Sequence, residues 1–197
     1  MVLLGLSGYK QSGKSTLAQA IVDHAWERCA RTYSFADTLK QMAQQLFGLT
    51  HAQCYGTEAD KNTLTKVAWS SLPIMIPLEF RAHSQFLLAR ELLQLFGSDI
   101  VRRMNSEVWV DATLTRIGED RPDLAVIVDV RFPNEVQGIQ RYGGKVIRLL
   151  RHSCMLAPYA SEHALDGYSG FDAILDNREM GLDEQCETVL DMISLWL

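Results

Sequence analysis

The chain has 197 residues, which is enough for one domain with a substantial core and a small insertion. Hydrophobic residues make up 47% of it and charged residues 22%, as in ordinary globular proteins, and the net charge of −5 gives no basic character that would indicate a nucleic-acid partner. No apolar stretch is long enough to cross a bilayer, and a predicted core strand stands where a basic leader would begin, so we expect a cytoplasmic protein without a membrane partner.

The N-terminal stretch carries the strongest motif. An apolar run from Val2 to Leu6 predicts a strand, residues 8–15 match G-x-x-x-x-G-K-[ST] in full, and Thr16 opens a helix-compatible stretch. Glycines at both ends let such a loop wrap an anion and point backbone N–H groups inward, while the helix that follows contributes the positive end of its dipole. The pattern predicts a nucleoside triphosphate site; a chance match on a tight surface turn is the alternative.

Within this motif, Lys14 should reach the β- and γ-phosphates, and the Ser15 hydroxyl should be a ligand of Mg²⁺. The residues expected to contact the nucleotide lie in the loop and the first helical turn: Gly8, Lys10, Ser12, Gly13, Lys14, Ser15 and Thr16.

The next elements are read from hydrophobic spacing. A helix is predicted from residue 14 to about residue 28, and a short strand near Arg31 to Phe35. A second helix should cover residues 36–48, with Gly48 as its C-cap. The polar stretch from about Leu49 to Pro77 should form a lid or an irregular insertion.

The second half alternates between helical and strand patterns. Residues 84–104 are helical in pattern on both sides of Gly97, which should break them into two helices, and residues 106–119 should continue as helix. Residues 123–130 form an apolar, β-branched run typical of a central parallel strand. Later elements are a short helix over 134–144 closed by Gly143-Gly144, strands within 145–151 and 171–177, and a terminal helix over 182–197.

This alternation predicts an α/β fold of the P-loop NTPase type, with a parallel sheet of about five strands flanked by helices. We assign residues 1–35 and 120–197 to the core domain. Residues 36–119 should form a helical insertion that binds substrate or acts as a lid.

The central strand ends in an acid followed closely by a cation, Asp129 and Arg131. Ligands of open α/β sheets bind beyond the carboxyl ends of the strands, and phosphoryl transfer depends on positioning and charge neutralisation. Asp129 is therefore expected to hold Mg²⁺ or its water, and Arg131 to grip a phosphate. A structural Asp/Arg pair at a strand end would give the same pattern.

Further cations could line a phosphate site. Arg90 and Gln94 are four residues apart on one predicted helix face, where a guanidinium could bind phosphate and an amide a base edge, although a solvated helix face looks the same. Arg151 ends the fourth predicted strand, where P-loop kinases carry a lid over ATP, and is counted with Lys14, Asp129 and Arg131 among the catalytic candidates. The remaining cations are Lys40, Arg81, Arg102, Arg103 and Arg148.

Other sites and other P-loop classes fit poorly. The four cysteines and five histidines lack zinc, redox or nucleophile spacing, so we expect no metal-thiolate or disulfide role. The chain has neither the D-x-x-G switch nor the N-K-x-D base reader of a GTPase, and VIVDVR carries one acid followed by a cation where a motor ATPase would carry a carboxylate pair. A small kinase suits this pattern.

The sequence resembles the phage-type deoxynucleoside monophosphate kinases, P-loop proteins related to animal phosphomevalonate kinase. The block that contains Arg90, Gln94, Gly97 and Trp109, followed by D-x-R-x-x-x-E, is the most specific part of this resemblance. The segments that carry it are GYKQSGKST, FADTLKQ, YGTEADKNTLTKVAW, ARELLQLFGSDIVRRMNSEVWV, VIVDVRFPNEVQGIQRYGGKVIRLLR, SEHALD and FDAILDN.

The resemblance implies an NMP-kinase-like fold and transfer of the ATP γ-phosphoryl group to a small-molecule partner, a deoxynucleoside 5′-monophosphate. ATP and Mg²⁺ are the implied cofactors, Arg151 and Asn177 would lie toward ATP, and Glu162 would be a lid contact. A homodimer, in the host-cell cytoplasm if the protein is phage-encoded, is expected. The implied substrate residues are Asp37, Lys40, Arg90, Gln94, Trp109, Arg131 and Glu135.

Asp37 separates the alternatives within the fold. A phosphate monoester is already an anionic nucleophile near neutral pH, whereas a kinase that attacks with a hydroxyl benefits from a carboxylate base, and Asp37 is the one spare acid well placed for that. As a helix N-cap it would be structural. The alternatives are a kinase of a hydroxymethylated pyrimidine in DNA, a phosphomevalonate-type kinase and a non-enzymatic ATP-binding regulator.

Overall fold

The computed structural model describes residues 1–25, 29–72, 84–151 and 163–196. The predictions made for Arg81, Glu162, Cys154, the end of the first helix and the prolines of the predicted lid fall outside these residues. The chain divides into two compact units, Met1–Phe35 with Trp109–Leu197 and Ala36–Val108. Within the described part, no helix combines the length and apolar character that a membrane span requires.

The strands, in chain order, are β1 (Val2–Ser7), β2 (Ala30–Tyr33), β3 (Leu64–Ala68), β4 (Phe86–Leu88), β5 (Leu124–Val130), β6 (Lys145–Leu149) and β7 (Ala173–Leu175). The α-helices are α1 (Lys14–His24), α2 (Phe35–Phe47), α3 (His51–Tyr55), α4 (Glu58–Lys61), α5 (Ala89–Gln94), α6 (Arg102–Met104), α7 (Val108–Asp120), α8 (Pro133–Arg141) and α9 (Leu182–Trp196).

The first unit is built on a five-stranded sheet in the order β2-β5-β1-β6-β7, with every pair parallel. β1 lies at its centre, and Ser7 at the end of β1 is in register with Val130 of β5 and with Arg148 of β6. The predicted α/β fold with a phosphate loop after the first strand is therefore confirmed, and the carboxyl ends of three strands meet at the start of this loop.

Helices cover both faces of this sheet. Alternate residues of β1 pack with apolar side chains of α1 and α9 in one core cluster, whose members from these elements are Leu4, Leu6, Leu17, Ala18, Ile21, Cys186, Val189 and Ile193. Gly5 points to the opposite face, where a Cβ would lie 2.6 Å from Cδ1 of Ile139 in α8. The absence of a side chain at Gly5 thus lets α8 lie close to the central strand.

The second unit has its own core. β3 and β4 pair antiparallel, with Leu64 opposite Leu88 and Ala68 opposite Phe86. The buried residues of this core are Ala43, Leu49, Cys54, Trp69, Leu87, Ala89 and Leu92. The second unit therefore has buried apolar contacts of its own that stabilise it.

The prediction of an irregular insertion from Leu49 onward is wrong for its described part. Residues 49–72 contain α3, α4, β3 and a short 3₁₀ turn at Trp69–Ser71. Thr50 with Gln53, and Thr57 with Asp60, each form a reciprocal capping box that satisfies backbone N–H groups at the starts of α3 and α4. Polar composition here reflects helix caps, not a loop.

The prediction that Gly97 separates two helices is also wrong. The first residues of this stretch form strand β4. Helix α5 follows and continues without a break through a π-helical stretch, Leu95–Val101, into α6. A Cβ on Gly97 would lie 2.5 Å from Cδ2 of Leu39, so the glycine admits the α2 side chain at close range. Close packing, rather than helix termination, explains this residue.

Gly48 ends α2 as predicted. Its φ of +67° lies in the left-handed region, and its N–H donates to the carbonyl of Gln44 at 3.1 Å. α1 ends at His24 among the described residues, α2 begins one residue before the predicted start, and α7, α8 and α9 occupy the predicted helical stretches.

Candidate active site

The loop between β1 and α1 has the backbone of a phosphate cradle. Gly8 and Gly13 have φ angles of +153° and +93°, values that L side chains rarely adopt. A Cβ on Gly8 would also lie 2.6 Å from the Ser12 Oγ atom. Both motif glycines are therefore required by the path of the loop, and α1 begins directly after Gly13.

The Lys14 ammonium group lies against the inside of this loop. Nζ donates to the carbonyl oxygens of Gly8 and Tyr9 at 2.7 and 2.6 Å, and it lies 3.3 Å from the Ser12 Oγ atom. A cation held here, together with the positive end of α1, favours an anion at the loop. Ser15 and Thr16 are exposed in the first turn of α1, and Lys10 is exposed in the loop.

The side chain of Asn177 hydrogen-bonds to the backbone of the phosphate loop. Its fully buried amide donates to the Ser12 carbonyl at 3.1 Å and to the Gln185 Oε1 atom at 2.9 Å, and its Oδ1 accepts from the Arg151 N–H at 2.8 Å. Because these bonds use both N–H donors and the carbonyl oxygen, Asn177 supports the backbone of the loop. A direct contact with ATP stays a prediction.

Arg151 lies beside the same loop. Its Nε donates to the Asn177 carbonyl at 3.2 Å and one terminal nitrogen donates to the Met180 carbonyl at 3.1 Å. The other terminal nitrogen, Nη1, is 3.8 Å from where a Cβ on Gly13 would stand. The guanidinium is thus adjacent to the phosphate loop, and its role toward ATP stays a prediction.

Asp129 joins β5 to the end of β2. Its Oδ2 accepts from the Ser34 hydroxyl at 2.6 Å, and its Oδ1 accepts from the Phe35 N–H at 2.8 Å, which is the first residue of α2. Asp129 therefore caps α2 from a neighbouring strand. The sequence carries no signal for this contact, because the partners are 94 and 95 positions apart.

Arg131 follows β5 at the edge of the sheet that holds the phosphate loop. Its backbone N–H, with that of Phe132, donates to the Glu135 Oε2 atom at 2.7 and 3.0 Å. Glu135 is only 2% exposed, so its carboxylate fixes the turn that carries Arg131 into α8. Glu135 acts on the position of Arg131; a direct contact with substrate stays a prediction.

In the second unit, α5 carries both Arg90 and Gln94. The Arg90 guanidinium makes an ion pair with Glu58 of α4, and its side chain is 25% exposed. A carboxylate in contact with this guanidinium reduces the charge that it presents to a phosphate. The roles of Arg90 and Gln94 toward substrate stay predictions.

Two other predicted substrate residues lie on α2. The Lys40 ammonium stands 4.5 Å from the centroid of the Tyr55 ring, a cation–π contact. Asp37 lies in the first turn of α2, inside the helix rather than at its N-cap, where a carboxylate is stabilised by the helix dipole. Whether Asp37 caps the helix, contacts substrate or acts as a base stays a prediction.

Trp109 belongs to the first unit. It lies in α7 and is 4% exposed, among the buried residues of that helix. The indole is therefore buried, and a contact with substrate stays a prediction.

Two curated proteins resemble this chain in sequence. A protein of Escherichia phage T5, named deoxynucleoside-5'-monophosphate kinase, is 31% identical over 174 residues, covering 68% of this chain and 70% of the phage protein. A protein of Acanthamoeba polyphaga mimivirus, named as a deoxynucleotide monophosphate kinase, is 28% identical over 198 residues, covering 91% of this chain and 90% of its own. No family model matches the chain.

Among solved structures, the shikimate kinase of Bacteroides thetaiotaomicron aligns over 98% of both chains with a TM-score of 0.48 and 12% identity. The shikimate kinase of Aquifex aeolicus aligns over 98% of this chain and 96% of its own, with a TM-score of 0.49 and 11% identity.

Proposed function

We propose that this chain, which belongs to the deoxynucleoside monophosphate kinase family, transfers the γ-phosphoryl group of ATP to the 5′-phosphate of a deoxynucleoside monophosphate. The products would be ADP and the deoxynucleoside diphosphate. The phage T5 and mimivirus proteins are named for this activity, and the similarity to the mimivirus protein extends over 91% of the chain.

The observation that carries the proposal is the phosphate loop with Lys14 held inside it. The Lys14 ammonium and the N-terminus of α1 supply positive charge at one place, and Arg151 lies beside Gly13. On the neighbouring strand, Arg131 is the residue after Val130, which is in register with Ser7 at the start of the loop. Two phosphorylated molecules that repel each other need cations placed in this way.

The proposed reaction needs little from a general base. An oxygen of the acceptor phosphate attacks the γ-phosphorus, a new P–O bond forms, and the bond from the γ-phosphorus to the bridging β-γ oxygen breaks as ADP leaves. The attacking group is already an anion near neutral pH, so the protein's task is to hold both phosphates in line and offset their charge. We assign that task to Lys14, Arg131 and Arg151.

Mg²⁺ would supply charge neutralisation across the β- and γ-phosphates. Among the described residues, no group of three or more His, Cys, Asp and Glu is arranged to hold a metal ion. A nucleotide-bound Mg²⁺ keeps water and phosphate oxygens as ligands and needs only one or two protein oxygens. Ser15, exposed at the start of α1, and Asp129 are the residues that we propose for it.

The test is a panel of deoxynucleoside, ribonucleoside and modified-base monophosphates, each incubated with ATP and Mg²⁺ and scored for diphosphate. Turnover of one or more deoxynucleoside monophosphates is expected. Phosphorylation of a non-nucleotide phosphate alone, phosphorylation of DNA alone, or no turnover of any acceptor would contradict the proposal.

The homodimer and the cytoplasmic location stay predictions of the family resemblance. Gel filtration with light scattering would test the homodimer, and fractionation of producing cells would test the location.

A further inference from the structure

A buried guanidinium lies beneath the start of the phosphate loop. Arg148 is in register with Ser7, its Nη1 donates to the Ser7 Oγ atom at 3.0 Å, and its side chain is 9% exposed. Its guanidinium carbon is 4.9 Å from the centroid of the Tyr9 ring. The cation thus contacts the residues on both sides of Gly8.

A charge in such a place requires a counter-charge. Asp166 supplies it, with its Oδ1 atom 3.6 Å from the Arg148 Nη2 atom. The same oxygen accepts from the Tyr9 hydroxyl at 2.6 Å, and the other oxygen lies 2.8 Å from the His163 Nδ1 atom. One carboxylate therefore joins the cation under the loop to a side chain of the loop.

The ionisation of this pair agrees with that geometry. The hydrogen bond from Tyr9 is the largest contribution that lowers the pKa of Asp166, and the same hydrogen bond is the largest contribution that raises the pKa of Tyr9. Near neutral pH the carboxylate is therefore charged and the phenol neutral.

Tyr9 connects this cluster to Lys14. The Tyr9 carbonyl accepts from the Lys14 ammonium at 2.6 Å and from the Ser12 N–H at 3.1 Å. Holding the Tyr9 side chain at its hydroxyl therefore restricts the backbone that orients Lys14.

We propose that Asp166 is a positioning residue for nucleotide binding: through Tyr9 it fixes the loop backbone that orients Lys14, and it balances the charge of Arg148 beneath the loop. This inference rests on the proposed function only for the identity of the nucleotide, ATP.

The test is the affinity for Mg·ATP, measured by calorimetry without an acceptor, for Tyr9→Phe, Asp166→Asn and the double variant. Tyr9→Phe removes the hydrogen bond, and Asp166→Asn removes the carboxylate charge that strengthens this bond and balances Arg148; each should weaken binding roughly tenfold. The double variant should lose less affinity than the product of the two single losses, because both substitutions act on the same Tyr9–Asp166 contact. The KM for the monophosphate should stay within about twofold of wild type.

The matched control is Asp172→Asn. Asp172 pairs with Lys145 at 3.0 Å, at the other end of β6 from Arg148, so its loss should lower the melting temperature and leave the Mg·ATP affinity unchanged. Unchanged affinity in Tyr9→Phe, multiplied losses in the double variant, or an equal loss in Asp172→Asn would overturn the inference. If the wild-type chain binds Mg·ATP but phosphorylates no monophosphate, the proposed function is refuted and the inference about Asp166 is not.

Discussion

Asn177 donates a hydrogen bond to the carbonyl oxygen of Ser12 at 3.1 Å, across 165 positions of the chain. Its second N–H is taken by Gln185 and its oxygen by the Arg151 N–H. The amide is the one side-chain group that can donate twice and accept once in this arrangement. The conformation of the phosphate loop therefore depends on the segment between β7 and α9.

Replacing Asn177 with Asp should disturb both folding and nucleotide binding. An aspartate places acceptors against the Ser12 carbonyl and the Gln185 Oε1 atom, where two donors stood, in a fully buried position. We expect the free energy of unfolding to fall by roughly 2–4 kcal/mol. Mg·ATP should also bind more weakly, because the phosphate loop loses the contact that holds its backbone. Urea unfolding and an ATP titration would measure the two effects.

The control for that substitution is Arg178→Gln. Arg178 is exposed and pairs with the neighbouring Asp176, so its replacement should leave stability and ATP affinity close to wild type. Equal losses in both variants would show that the segment tolerates no change, and would remove the specific role given to Asn177.

Lys14→Ala should abolish most of the turnover. The substitution removes the ammonium that lies against the Gly8 and Tyr9 carbonyls and should cost at least about two orders of magnitude in rate, with the fold preserved. Steady-state kinetics and circular dichroism would measure rate and fold. Lys66→Ala, at an exposed position of β3, is the matched control, and near-normal turnover in Lys14→Ala would exclude the loop from the mechanism.

The parts of this molecule that sequence could predict are those with a local signal. The phosphate loop, the apolar run of β5 and the C-cap at Gly48 depend on residues within one element. Two further local signals were present: Thr50 and Thr57 each precede an acceptor side chain by three positions, the spacing of a capping box. This spacing is typical of helix starts, and the structure has helices α3 and α4 at these positions.

The remaining features depend on contacts that are distant in sequence. Gly97 has helix-breaking chemistry, yet it sits inside a helical stretch because Leu39 of α2 packs where a side chain would be. Asp129 caps α2 across 94 positions, a role that no pattern near Asp129 indicates. The phosphate loop and Arg131 directly follow β1 and β5, two strands with a local sequence pattern, whereas the contacts that position these residues required the fold.

Arg131→Ala should depress the rate of phosphoryl transfer. We propose that this guanidinium offsets the charge of the transferring or acceptor phosphate, and removal of such a charged contact costs roughly 2–4 kcal/mol of transition-state stabilisation. The kcat and the KM for the monophosphate should be measured separately. Arg178→Ala is the control, because that side chain is 49% exposed and pairs with Asp176. Wild-type kinetics in Arg131→Ala would place the phosphate elsewhere.

Glu135→Ala should act on Arg131 through the backbone. It leaves the N–H groups of Arg131 and Phe132 without their carboxylate acceptor, which should lower the free energy of unfolding by about 1–2 kcal/mol. The rate should fall less than in Arg131→Ala, since the guanidinium remains. Thermal unfolding and kinetics measure both; Glu119→Ala, at an exposed site on α7, should change neither, and a rate loss as large as in Arg131→Ala would indicate that Glu135 itself contacts substrate.

Tyr33 should make the folded chain sensitive to alkaline pH. Its burial, together with the hydrogen bond that it donates to Asp120 at 2.9 Å, raises its pKa from 10.0 to about 12. Well below pH 10 the phenol is protonated in both states and contributes no pH dependence. Between about pH 10 and about pH 12 the unfolded chain releases a proton that the folded chain keeps, so the free energy of unfolding falls as pH rises.

Urea unfolding at about pH 9 and about pH 11 measures this effect of Tyr33. Between these two pH values the free energy of unfolding of wild type should fall by roughly 1.4 kcal/mol more than that of Tyr33→Phe. Tyr142→Phe, at an exposed tyrosine, should behave as wild type, and equal losses in wild type and Tyr33→Phe would contradict the assignment.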